Sequence, residues 1–375
     1  MKRLTLLASL LLLASLSMGA QEKQSSWFER ISTKVLDSFT ARKKGLDSMY
    51  VFQTPLKWTV SVESERLSPR ASLLCDFSAK VSSGEGTTTR NGSLELGLED
   101  RACQKIGLAA GYGSLRLGYG IQLGKKGGER NKYFGFGINS ASYGGQIRYY
   151  KVHPCPSGSI AYAGGAPIPL TSTLPGELRS FAIDAFYAFN RNRFLFNATY
   201  TGRHLQRRSV GSWLVTAKYL QGDFSLDPDD PIGTRLGGAH RFATRQLSAG
   251  GGYSFNWVPI HRDPVDHTHG GLRNLTVNAT VLPMASFLNI LRTGERKNKE
   301  SVQSENVPTF TPALRGAVCY TRDRWSFCAE AAYSNYSFRG AERDVAYPAD
   351  LEPAHVKTSG TFHDFTVKGK INLHF

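Results

Sequence analysis

From Leu56 to the last residue, Phe375, one stretch after another places apolar side chains at every second position. "LKWTVSVES" sets Leu56, Trp58, Val60 and Val62 against Lys57, Thr59, Ser61 and Glu63. "SWLVTAKYL" sets Trp213, Val215, Ala217 and Tyr219 against Thr216 and Lys218, and "LTVNATV" sets Leu275, Val277, Ala279 and Val281 against Thr276, Asn278 and Thr280. "SLRLGYGIQL" and "RFLFNATYTG" repeat the pattern, the latter with Phe194, Phe196, Ala198 and Tyr200 on one side. The final decapeptide, "TVKGKINLHF", alternates to its end and stops on an aromatic. A period of two belongs to extended strands whose two faces meet different surroundings.

Two architectures of opposite polarity fit such strands. A soluble sandwich turns the apolar face inward. A membrane barrel turns it to lipid and lines its lumen with the polar face. Three features favour the barrel. Aromatics stand near strand ends (Trp58, Tyr200, Trp213, Tyr219, Trp257, Phe375), as interfacial girdles do. Many segments run to about ten residues, the length of a tilted bilayer crossing. The chain also ends inside a strand. In lipid an open edge leaves backbone groups unsatisfied at several kcal/mol each, so first and last strands must pair and nothing need follow the last. Phe375 also resembles the C-terminal membrane-insertion signal that bacterial outer-membrane proteins present to their insertion machinery. The expected fold is all-β, a transmembrane antiparallel β-barrel of about 12–16 strands.

The front of the chain differs. "MKRLTLLASLLLLASLSMGAQ" has two basic residues, an apolar run and small residues before Gln21, the pattern of a secretory leader over residues 1–20. Residues 21–50 carry Trp27, Phe28, Ile31, Val35 and Phe39 at helical spacing, predicting a short amphipathic helix ahead of a barrel over 51–375. The helix can lie on a membrane surface or pack on its own domain. The formal net charge of +16 in an exported chain points to anionic headgroups or solutes and away from nucleic acid. The expected partners are outer-membrane lipid, lipopolysaccharide and the barrel-insertion machinery of a Gram-negative cell. No cofactor is expected.

Between strands, residues 153–177, 224–243, 286–306 and 339–360 are polar and rich in Pro, Gly, Ser or charge. "RNKY" (130–133), "NRNR" (190–193) and "TRDR" (321–324) have the composition of tight turns. With a periplasmic C-terminus, counting strands backwards places the last three polar segments outside the cell but puts 153–177 on the periplasmic side.

Several local patterns resemble an uncharacterised Bacteroidota family of outer-membrane barrels, the domain of unknown function 4421. They are "LDSMYV" (46–51), "YAFNRNRF" (187–194), "QRRSVGS" (206–212), "GGGYSFNW" (250–257) and the C-terminal strand. The resemblance implies an exported barrel and no catalytic residue.

Candidate chemistry is sparse. "HRDPVDHTHGG" gathers His261, Asp263, Asp266, His267 and His269, side chains that can ligate Zn²⁺ or form a solvated polar turn. Cys319 and Cys328 flank "YTRDRWSF" and face each other if Asp323 and Arg324 form the turn, so a disulfide is possible there. By parity the lumen holds Lys57, Arg116, Arg148, Lys218, Lys368 and Lys370 against Glu63, Asp184 and Glu330. A wet basic lumen would favour anions; a closed one would pair these charges across the barrel. The functions in play are therefore a channel or binding barrel for small anionic solutes, an enzyme acting on lipid or peptide at the rim, or a docking barrel.

Overall fold

The computed structural model describes residues 45–375 except 84–85, 100–102, 124–130, 141–142, 154, 163–165, 172–175, 228–238, 266–269, 296–299, 304–307, 340–342 and 346–353. The leader and most of the expected helix lie outside the described residues. Residues 45–50, the described end of that helical stretch, form turns, and β1 (Val51–Phe52) follows.

The wall begins with β2 (Trp58–Ser83), which returns as β3 (Gly86–Glu99) and β4 (Cys103–Tyr112). Then come β5 (Leu115–Gln122), β6 (Lys132–Asn139), β7 (Tyr143–Val152), β8 (Cys155–Tyr162), β9 (Ile168–Thr171) and β10 (Glu177–Ala188). Residues 189–209 leave the wall; they include helix α1 (Ala198–Thr201) and β11 (Leu205–Gln206). The wall resumes with β12 (Val210–Ser225), β13 (Ala239–Arg262), β14 (Arg273–Leu282) and β15 (Met284–Glu295). It continues through β16 (Glu300–Gln303), β17 (Ala313–Arg322), β18 (Trp325–Arg339), β19 (Arg343–Val345) and β20 (Ala354–His374).

All pairings are antiparallel, and β20 pairs with β2 from Thr59↔His374 onward, which closes a twelve-strand barrel. Pro283 separates β14 from β15, and both pair with β13, so the two count as one wall strand. Proline has no N–H for the ladder, which explains the break. Above the short β5–β6 hairpin, β3 pairs directly with β8, extending the wall beyond the barrel proper.

Polarity is inverted as a membrane barrel requires. Val60, Val62, Leu108, Val215, Val281 and Ile371 are exposed, while their neighbours Thr59, Ser61, Thr216, Thr280 and Asn372 are buried. The described tryptophans, Trp58, Trp213, Trp257 and Trp325, all stand exposed near the rim that carries Phe375. The carbonyls and amides of Trp58 and Phe375 exchange hydrogen bonds of 2.8 and 3.0 Å there. The final aromatic is thus part of the closing seam.

Two sequence expectations are corrected. "RFLFNATYTG" is no strand: Phe194, Leu195, Phe196 and Ala198 are buried inside the barrel and Tyr200 is no girdle residue. Without that strand, the connection from β7 to β10, expected over 153–177, leaves from the rim opposite Phe375, as the other long segments do. Those segments are also partly built into the wall, as β8, β9, β16 and β19. "RNKY" is not a turn either, because Lys132 and Tyr133 open β6. "TRDR" does turn, on Asp323 (φ 53°) and Arg324.

Candidate functional site

The segment 189–209 folds back from the C-terminal rim into the lumen and plugs it. Phe194 and Phe196 enter a socket made by Ala188, Leu214, Leu282, Met284 and Ala313, small patches of apolar surface on an otherwise polar inner wall. The Phe196 ring lies 4.4 Å from that of Phe186 and 5.3 Å from that of Tyr200. Polar pins complete the seat. Asn256 Nδ2 donates to Leu195 O (2.8 Å), Tyr200 Oη to Asn278 Oδ1 (2.9 Å), and Asn372 Nδ2 to Thr201 O (3.2 Å). Gly202 ends α1 at φ +62°, a conformation glycine adopts without penalty. A Cβ there would come within 2.5 Å of Ser326.

The stretches that carried the family resemblance converge on this plug. β11 pairs with β1, Asp47 N bonds Asn192 O (2.8 Å), and Arg207 N bonds Tyr50 O (2.7 Å). Arg193 Nε reaches Asp47 Oδ2 at 3.2 Å, and Gln206 Nε2 donates to Tyr50 O (2.9 Å) and Arg193 O (2.7 Å). "LDSMYV", "NRNRF", "QRRSVGS" and Asn256 of "GGGYSFNW" therefore form one cap under the barrel. The basic "QRRSVGS" turn is part of it: Arg207 Nη2 lies 2.5 Å from Asp263 Oδ1.

Above the plug lies a cavity of about 150 Å³, lined by charge. Arg116 is ion-paired with Glu63, and Lys368 Nζ lies 2.7 Å from the same carboxylate. Lys370 Nζ lies 2.9 Å from Glu330 and 3.3 Å from Tyr200 O. Asp184 meets Arg148 at 3.1 Å, Arg315 at 3.7 Å and Lys218 at 3.9 Å, and Arg148 also reaches Asp364 at 3.5 Å. Gly118, Gly135, Gly137 and Gly145 line the facing wall, and their missing side chains leave this space open.

Five of the six basic residues read from parity, Arg116, Arg148, Lys218, Lys368 and Lys370, stand on this inner surface. Lys57 does not: it precedes β2, is exposed at the rim, and lies where strand parity no longer applies. Parity reasoning had not named Lys105, Arg315, Glu65 and Asp364. The signal was present in "CQKIGLAAGY", where Lys105 alternates with Ile106 and Leu108. Lys105 is buried, with its Nζ 4.8 Å from the Tyr133 ring centroid.

A smaller cavity of about 40 Å³ lies between the plug and the C-terminal rim, lined by Thr59, Arg116, Ser140, Asn197, Thr201 and Arg203 among others. Arg116, Asn197 and Thr201 border both cavities. Arg203, on the plug, donates from Nε and Nη2 to Leu56 O at 3.2 and 3.0 Å. Burial pushes its guanidinium down to about 10, with only Tyr112 acting the other way.

Of the proposed metal loop, Asp266, His267 and His269 lie outside the described residues. His261 Nε2 lies 3.0 Å from Asp263 Oδ1, and its Nδ1 lies 3.1 Å from Asn274. Partial burial raises Asp263, but hydrogen bonds from His261 and Arg207 outweigh it and hold the carboxyl below its usual range. Among the described residues, no three His, Cys, Asp or Glu side chains gather as a metal site would require. Cys319 and Cys328 are directly paired across β17 and β18 and joined by a disulfide, Cα–Cα 4.0 Å. Beside them Ser326 Oγ bonds His374 Nε2, and His374 Nδ1 bonds Thr59 Oγ1, each at 3.0 Å. All three side chains are buried, so this chain of bonds ties plug, seam and wall together.

The profile of a family described as Domain of unknown function (DUF4421) matches residues 88–345. A search of the curated proteins finds no match. Among solved structures, the chain is similar to the beta domain of the Bordetella autotransporter Brka, at 10% identity over 80% of this chain and 98% of that one, with a TM-score of 0.29. It is also similar to a bacterial polysaccharide outer membrane secretin, at 8% identity over 81% and 98% with a TM-score of 0.28. A third is the translocator domain of autotransporter NalP from Neisseria meningitidis, at 10% identity over 92% and 95% with a TM-score of 0.26. Likenesses this remote carry no functional argument.

Proposed function

This chain belongs to the family described as Domain of unknown function (DUF4421), and from that premise we propose an outer-membrane barrel that binds and passes a small anionic solute, shut at rest by its own segment 189–209. The leader over residues 1–20 would export it. The apolar outer face, the tryptophans at one rim and the closed seam support insertion in lipid. The long connections share the rim opposite Phe375, which supports a periplasmic C-terminus. The observation that carries the solute class is the inner wall. Arg116, Arg148, Arg315, Lys368 and Lys370 line the upper cavity against Glu63, Glu65, Asp184, Glu330 and Asp364, and the positive excess that supports an anionic solute comes from Lys105 and Lys218, also buried on the inner wall. A cavity of about 150 Å³ admits a few waters or one small solute.

Planar-bilayer recording tests this. The expected trace is a quiet baseline broken by brief openings whose reversal potential in a KCl gradient shifts toward that of chloride. Cation-selective openings, a large steady conductance, or silence at every voltage would each overturn the proposal.

A further inference from the structure

The small chamber beneath the plug has a chemistry unlike the cavity above. The upper cavity balances its cations with Glu63, Glu65, Asp184, Glu330 and Asp364. Among the described residues lining the lower chamber there is no carboxylate at all. Arg203 stands there with 8% of its surface exposed, and among the described residues its hydrogen bonds go to a single backbone carbonyl, Leu56 O. A buried cation without a counter-charge is costly, and interiors normally compensate one. Two further polar groups in the same wall are buried without hydrogen-bond partners: Asn197 Nδ2 and Ser140 Oγ. Asn197 Nδ2 is a donor, and the Ser140 hydroxyl can donate.

We infer that this chamber is a binding site for a small inorganic anion of chloride to phosphate size, held by Arg203, Asn197 and Ser140 between the plug and the rim. The volume suits this: a cavity admits a water from about 10–15 Å³ upward, and this one offers about 40 Å³. Arg116 borders the chamber too, but its charge is engaged by Glu63, so Arg203 supplies the charge the anion meets. Since Arg203 and Asn197 both belong to the plug segment, the anion would bridge plug and wall and hold the plug seated. The inference rests on the anion-handling reading for its purpose, while its test requires no transport.

Crystals of the full barrel grown in sodium bromide, and others in sodium phosphate, provide the test. Bromide scatters anomalously, so an occupied chamber gives an anomalous peak within hydrogen-bonding reach of Arg203 and Asn197; tetrahedral density in the phosphate crystals would identify the larger anion. Calorimetric titration of the protein with bromide, in gluconate at constant ionic strength, should show binding weakened at least about tenfold in Arg203→Gln, the loss expected for one charge-assisted hydrogen bond. If Arg203→Gln fails to fold, the wild-type crystals decide alone. Neither a bromide peak nor phosphate density in the chamber, or a peak confined to surface arginines, overturns the inference. Silent bilayers with an occupied chamber would remove the passage reading and leave this site standing; anion-selective openings with an empty chamber would do the reverse.

Discussion

Replacing Phe196 by Ala should unseat the plug. Phe196 is buried to 3% exposure against Phe186, Tyr200 and the socket residues Leu214, Leu282 and Met284. Truncating a buried Phe to Ala costs about 3–5 kcal/mol. The loss falls on the docked plug, because the wall strands keep their own pairings. At about 1.4 kcal/mol per decade, the ratio of seated to unseated plug falls by roughly a hundred- to several-thousandfold. The assay is paired: open probability in planar bilayers, and guanidinium unfolding of the same protein in lipid vesicles. The expected result is a large rise in open probability with a smaller loss of global stability, since a barrel with its plug already out has less to lose. A full 3–5 kcal/mol loss with an unchanged baseline would refute the reasoning, because it would mean that plug and wall unfold only together. No change in either measurement would refute the packing itself.

Other outcomes follow from the same coordinates. Asp184→Asn leaves Arg148, Arg315 and Lys218 without the carboxylate they share; breaking buried pairing should cost about 3–5 kcal/mol in guanidinium unfolding, and adding Arg315→Gln, which removes a cation paired with Asp184, should recover part of it. Gly202→Ala places a Cβ against Ser326 at a positive φ, costing about 1–3 kcal/mol, and should raise tryptic cleavage at Arg203; unchanged cleavage would count against the seat described for α1. Asp263 has a folded pKa below its ordinary value, so its contribution is present above about pH 4 and is lost as pH falls through the depressed value. Because Asp263 is more than half exposed, the effect stays under about 1 kcal/mol, and Asp263→Asn should flatten the acid limb of the stability profile by that much.

The wall was legible because lipid imposes its rule on every strand separately. Trp58, Val60 and Val62 point one way and Thr59, Ser61 and Glu63 the other whatever the rest of the chain does, so a local pattern reports a global inversion. The same parity placed Arg116, Arg148, Lys218, Lys368 and Lys370 on the inner surface. It failed at Lys57 because alternation in the sequence runs two residues further than the strand that enforces it. What parity cannot give is which charges meet. Asp184 on β10 gathers Arg148 from β7, Lys218 from β12 and Arg315 from β17, and that choice depends on register around the whole ring.

The plug escaped detection for a related reason. "RFLFNATYTG" reads as a wall strand on Phe194, Phe196, Ala198 and Tyr200 alone, but Leu195 breaks the alternation and is buried as well, against Val51 and Ala198. The socket itself is dispersed: Ala188, Leu214, Leu282, Met284 and Ala313 come from four wall strands, the pair Leu282 and Met284 flanking the break at Pro283. One local signal did exist. In "SWLVT" three apolar residues run together, and Leu214 faces inward between Ser212 and Thr216, where a hydrophilic lumen has no use for it. An inward leucine on a membrane barrel strand needs an apolar partner inside the barrel. Here the partner lies in the connection immediately before that strand, since Phe194 and Phe196 precede Leu214 by about one hairpin's length of chain. The strand count gave the same warning independently: counting "RFLFNATYTG" as a wall strand placed 153–177 on the rim of short turns, and folding that segment inward returns it to the rim of long connections.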